Sequence, residues 1–179
     1  MARYALLLRG VNVGKDNKLP MVELRAMLEH AGCIDVETYI QSGNAVFSCG
    51  EGKVALTTKI ESALEQYMGR PIATTLRTSR QLEKIVADNP FATIADDPRK
   101  LTVTFLSRPA SKRLLAAVPP DDFTPELYAA IGNEIYAWYP EGQGNSQLAV
   151  ALAKVRWPGT ATVRNWNTVL RLAAMLRGE

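Results

Sequence analysis

Two polar, glycine-bearing segments hold the residues best suited to bind a ligand. The first runs Arg9-Gly10-Val11-Asn12-Val13-Gly14-Lys15 and continues through Lys18 to Pro20. The second is Tyr39-Ile40-Gln41-Ser42-Gly43-Asn44. Arg9, Lys15, Lys18 and Arg70 could supply positive charge, and guanidinium groups suit carboxylates and phosphates in particular. Asn12, Gln41, Ser42 and Asn44 could add directional hydrogen bonds. Singly, each has a plainer reading. Glycine and asparagine in loops serve backbone geometry, loop lysines are solvated, and Arg9 could pair with Asp16. The glycine spacing matches neither a P-loop nor G-x-G-x-x-G, so no nucleotide motif is present.

Near the carboxyl end Arg164, Asn165 and Asn167 stand at the expected start of the last helix, where asparagine is a weak helix former. They could cap it, dock it, or help hold a polar ligand between the two halves of the chain. Other chemistry is sparse. His30 is the single histidine, expected exposed and late in a helix. Cys33 and Cys49 are the only cysteines and lack metal or C-x-x-C spacing, so they read as two free, buried thiols. No metal or cofactor is implied. Asp96-Asp97 and Asp121-Asp122 sit beside prolines and read as turn formers, not as an acid/base pair.

The 179 residues suit one large domain or two small ones, and 47% hydrophobic with 22% charged residues is ordinary for a globular chain. A net charge of +3 permits an acidic partner without demanding one. No apolar run approaches the roughly 20 residues a membrane helix needs. The opening M-A-R-Y-A-L-L-L-R-G is cut by Arg9 and reads as a first strand, not a signal peptide. The expected compartment is the cytoplasm, with no membrane partner. Nothing in the sequence fixes an oligomeric state.

Ala5 to Leu8 reads as a central strand, followed by a loop to Leu19 and a helix opening at Pro20. Ile34 to Ile40 and Ala45 to Ser48 are strands joined by a turn at Ser42-Gly43-Asn44. Leu56, Ile60, Ala63, Leu64 and Tyr67 mark a second helix, and Ile72 to Arg77 a fourth strand. Thr78 and Gln81 are placed like a capping box for a third helix.

The second half restarts at Leu101, with a helix at Ser111 to Val118 and a hairpin about Gly132-Asn133. Its end is expected to differ: a short helix capped by Ser146, then a last helix capped by Thr162 and running to Arg177. Tyr39, Gly43, Asn44, Val46 and Phe47 overlay Tyr128, Gly132, Asn133, Ile135 and Tyr136 at one constant offset, which points to tandem duplication. The expected class is α+β: two ferredoxin-like βαββαβ halves, residues 1–91 and 92–179, with antiparallel sheets and an extra C-terminal helix. In such a sheet the loops after strand one and between strands two and three share one edge. Arg70, just before strand four, joins them, as do the uncapped amides of the first helix.

With these residues in view, the chain resembles the bacterial family of domain of unknown function 1697. A-L-L-L-R-G-V-N-V-G, Y-I-Q-S-G-N-A-V-F and A-T-V-R-N-W-N-T-V carry the resemblance across nearly the whole length. The family pattern has a second glycine where this chain has Lys15. The resemblance implies two similar α+β subdomains and no assigned activity or catalytic residue. Three classes of function fit the sequence. The first is a small-molecule site for an anionic or polar ligand at the loop edge of the first half. The second is an RNA-binding module, since such domains share this element order, although Asn44-Ala45-Val46-Phe47-Ser48 lacks their aromatic pattern. The third is a protein-interaction scaffold. Were there catalysis, stabilisation by arginines and amides is the device on offer; no general base is legible.

Overall fold

A computed structural model describes residues 1–14 and 18–179; Lys15 and Asp16, weighed above, lie outside the described residues. The first half runs β1 (Ala2–Leu8), α1 (Met21–His30), β2 (Ile34–Tyr39), β3 (Asn44–Cys49), α2 (Lys53–Met68), β4 (Thr74–Thr78) and α3 (Ser79–Ala87). The second runs β5 (Leu101–Leu106), α4 (Lys112–Leu115), β6 (Leu127–Ile131), β7 (Glu134–Trp138), α5 (Gln147–Lys154), β8 (Ala161–Asn165) and α6 (Trp166–Arg177). The strands form two four-stranded antiparallel sheets, ordered β2-β3-β1-β4 and β6-β7-β5-β8.

Several expectations for the second half are corrected. Thr162 does not cap the last helix, because Ala161–Asn165 is a strand paired with β5. β-Branched Thr162 and Val163 suit that pleat, and the helix opens only at Trp166. Its end therefore does not differ: helix, strand and helix close both halves. The expected helix at Ser111 to Val118 is a short one of four residues, capped by the Ser111 side chain.

The hairpin overlay is corrected too. The Leu8 amide donates to the Gly43 carbonyl in the first half, and the Leu106 amide donates to Asn133, not Gly132, in the second. The constant-offset match is thus one residue out of register, and one residue reverses the face of every side chain. Phe47 lies in the core with Leu24, Leu28 and Leu56. Tyr136 lies on the opposite face from Ile135 and Ala137, which pack in the core of the second sheet.

The chain forms two compact units that do not follow chain order: Met1–Lys84 with Arg171–Glu179, and Ile85–Leu170. In the first unit α1 and α2 cover one sheet face, burying Tyr4, Leu6 and Leu8. On the other face Arg3 Nη2 donates to the Met175 carbonyl at 3.2 Å, fastening the end of α6. In the second unit the Tyr136 hydroxyl donates to the Ile85 carbonyl at 2.9 Å, and its ring lies 6.4 Å from that of Trp166. Each unit thus includes the end of a helix that begins in the other.

Tyr136 is 1% exposed, and its burial pushes the phenol pKa up. Tyr136→Phe would leave the Ile85 carbonyl without that donor inside the second unit. The expected loss is about 1–3 kcal/mol of stability, read from the urea midpoint at unchanged m-value.

Candidate functional site

The loop end of the first unit is built on two buried apolar anchors. Val11 and Leu19 are 2% and 0% exposed and join the core beneath α1. Between and beside them Arg9, Gly10, Val13, Gly14 and Lys18 remain exposed. Asn12 draws the ends of this loop together. Its Oδ1 accepts from the Leu19 amide and its Nδ2 donates to the Leu19 carbonyl, both at 2.8 Å. The same Nδ2 donates to the Gln41 carbonyl at 2.6 Å, which ties the loop to the β2–β3 turn. Asn12 does this at φ 55°, a left-handed conformation that asparagine tolerates better than most residues.

The turn itself spans Ile40 to Gly43, one step earlier than expected, and Asn44 opens β3. Asn44 is fully buried; its Nδ2 donates to the Tyr39 carbonyl at 3.1 Å and to Ser42 Oγ at 2.8 Å. Gly43 has φ 75°, and a Cβ there would sit 2.5 Å from Val11 Cγ2 and 2.9 Å from Leu8 Cβ. Ile40 is held at φ 47° although it is β-branched and 51% exposed. Such a residue in the left-handed region is a genuine outlier.

The charged residues gather as the topology requires. The Arg9 amide donates to the Ala73 carbonyl at 3.0 Å, where β1 runs out beside the start of β4. Arg70 Nη2 donates to the Gly10 carbonyl at 3.1 Å. Lys18 directly precedes the Leu19 amide that Asn12 holds. Pro20 stands at the N-cap of α1, one place before its expected position, and makes no side-chain cap. Arg9, Asn12, Lys18, Gln41, Ser42, Asn44 and Arg70 therefore share one end of one unit. Asn12 directs its amide at the protein's own backbone and Asn44 at the Tyr39 carbonyl and Ser42 Oγ, while Arg9, Lys18 and Gln41 are exposed.

Arg164 and Asn165 belong to the other unit and to a strand, not to the first turns of a helix. Asn165 Oδ1 accepts from the Thr168 amide at 3.2 Å and so caps α6. Arg164 Nη1 donates to the Val163 carbonyl at 2.8 Å. Burial lowers its pKa to about 10, which leaves it charged at neutral pH. Arg77, a buried charge, escaped the sequence reading. Arg77 is 5% exposed and faces Ala5 as Arg164 faces Val103. The signal was there in Thr75-Leu76-Arg77-Thr78 against Thr162-Val163-Arg164-Asn165.

A family model described as "Protein of unknown function (DUF1697)" matches residues 1–136. The chain belongs to that family. The matched part of this DUF1697 chain contains the whole loop end of the first unit. A solved structure of a conserved bacterial protein, SP0830 from Streptococcus pneumoniae, is similar over 99% of this chain and 99% of that one, with 28% identity and a TM-score of 0.81. No curated protein is significantly similar to the DUF1697 chain. Among the described residues no helix is long and apolar enough to cross a membrane.

Asn12→Ala removes three hydrogen bonds and leaves the buried Leu19 amide unanswered, so about 2–4 kcal/mol should be lost. Gly43→Ala should cost about 3 kcal/mol through overpacking and backbone strain. Gly10→Ala, which has φ 69° but open space, should cost about 1 kcal/mol. Denaturant midpoints of the three variants check this order.

Proposed function

We propose that the loop end of the first unit binds an anionic or hydrogen-bond-rich small molecule. Arg9, Lys18 and Arg70 bring the charge, and Gln41 and Ser42 add polar contacts. Asn12 and Asn44 act as positioning residues that hold the two loops in register. The observation that carries the reading is the Asn12 clasp between loops longer than their counterparts. Twelve residues separate β1 from α1 and four separate β2 from β3, against five and two at the matching places of the second half. Long, pinned loops on a rigid sheet are where binding residues concentrate. The left-handed Ile40 agrees, since backbone strain persists where surrounding contacts enforce it and clusters at ligand sites.

The supporting frame is two ferredoxin-like repeats, residues 1–91 and 92–179, an assignment favoured by strand order and matching helix positions. Arg164 and Asn165 make their hydrogen bonds within the second repeat. Two free cysteines favour a cytoplasmic setting. Nucleic-acid binding is the weaker alternative. Of the aromatics on β7, Tyr136 is buried and so offers no stacking platform.

Thermal shift with inorganic phosphate, nucleotides and dicarboxylates tests the proposal. A binder should raise the midpoint of the wild type, and Arg9→Ala and Arg70→Ala should abolish most of that rise. Equal responses from wild type and both variants to every active compound would place the ligand elsewhere. Ile40→Asn should gain about 1 kcal/mol of stability by relieving the left-handed β-branched residue, while weakening the same ligand. Single-stranded RNA at low salt is the contrasting probe: affinity falling steeply with salt would favour the alternative.

A further inference from the structure

Cys33 and Cys49 are free, buried at 3% and 1% exposure, and lie in the first unit. Strand register brings them together. Ile34 stands opposite Ser48 across the β2–β3 pair, so the next step outward sets Cys33 opposite Cys49. Both side chains join the same core, on the face covered by α1 and α2. Directly opposed residues of an antiparallel pair have Cβ atoms about 4.5–5.5 Å apart. A disulfide asks for roughly 3.5–4.5 Å, a difference within small backbone adjustment. The two thiols already interact: the Cys33 thiol is pushed up to about 12 by burial first, then by the charge of Cys49 and a hydrogen bond with it. Cys49 Sγ also donates to the Gly32 carbonyl at 4.0 Å.

We propose that Cys33 and Cys49 form a dithiol–disulfide pair, converted by a small-molecule disulfide into a cross-strand bond that ties the edge strand β2 to β3. One protein thiol, deprotonated, attacks the small disulfide; its sulfur–sulfur bond breaks and one small thiolate leaves. The second protein sulfur then attacks the mixed disulfide and displaces the other small thiolate. Two protein thiols are oxidised to one disulfide, the small disulfide is reduced to two thiols, and these carry away the two protons. In the closed fold both sulfurs are buried, so the exchange waits on local opening of the β2 edge. The bond therefore forms slowly and, once formed, is shielded from reduction.

The full chain is equilibrated with oxidised glutathione, alkylated under denaturing conditions and weighed intact. The expected product has lost two hydrogens, takes no alkyl group, and melts roughly 5 °C higher. It should form faster in urea below the unfolding transition. Cys33→Ser and Cys49→Ser should each take up one glutathione in urea and show no such rise. Two glutathiones per chain, disulfide-linked dimers, or two alkylated thiols after equilibration in urea would each overturn the proposal.

Discussion

The Asn12 carboxamide ties the loop after β1 to the β2–β3 turn. An asparagine side chain offers one acceptor and two donor hydrogens, and Asn12 uses them on three backbone groups of two distant segments. Leu19 is fully buried, so its amide and carbonyl need partners inside the protein. Asn12 provides both, and the loop can then bury Val11 and Leu19 without forming regular structure. The bond to the Gln41 carbonyl carries the constraint across to the β2–β3 turn. Gly43 completes it by letting that turn lie against Leu8 and Val11 with no Cβ in the way.

The two arginines of this end are placed by bonds of their own. Arg9 is fixed by its amide at the close of the β1–β4 pairing, and its side chain is exposed. Arg70 reaches back to the Gly10 carbonyl. Arg70 thus shares in ordering the loop with asparagine, glycine and two apolar anchors. For the proposed site, the bonds made by Asn12 and Asn44 lower the conformational cost of binding a small polar molecule.

Much of the frame was legible because hydrophobic period and turn chemistry agreed. The Thr78–Gln81 capping box forms as read, with reciprocal bonds of 3.2 and 3.0 Å. Ser146 caps α5. Convergence of the two loops followed from strand order alone. What failed did so for stated reasons. Ala161–Asn165 was absorbed into the following helix because Asn165 caps it and no proline or glycine separates the two. The five-letter hairpin match aligned residue types across a turn that is two residues longer in the first half, so it set a core-facing phenylalanine against a tyrosine of the other face. The roles of Asn12 and Asn44 were open to sequence reading only as a choice between backbone service and ligand contact. In the structure both side chains bond within the protein.

The second half serves as an internal control on the first. At the place matching Arg9 it has Ser107, whose amide donates to the Thr160 carbonyl just as Arg9 donates to Ala73. There the end is knitted shut. Ser107 Oγ accepts from the Thr160 amide at 3.0 Å and donates to the Pro158 carbonyl at 3.3 Å. Gly159 lies so close that a Cβ would fall 2.1 Å from that oxygen. A sheet of this order can thus close its loop end with one serine and a tight turn. The second half also carries arginines in the matching loops, Arg108 after β5 and Arg156 before β8. What sets the first loop end apart is therefore loop length and the left-handed isoleucine, neither of which a sheet of this order needs in order to close.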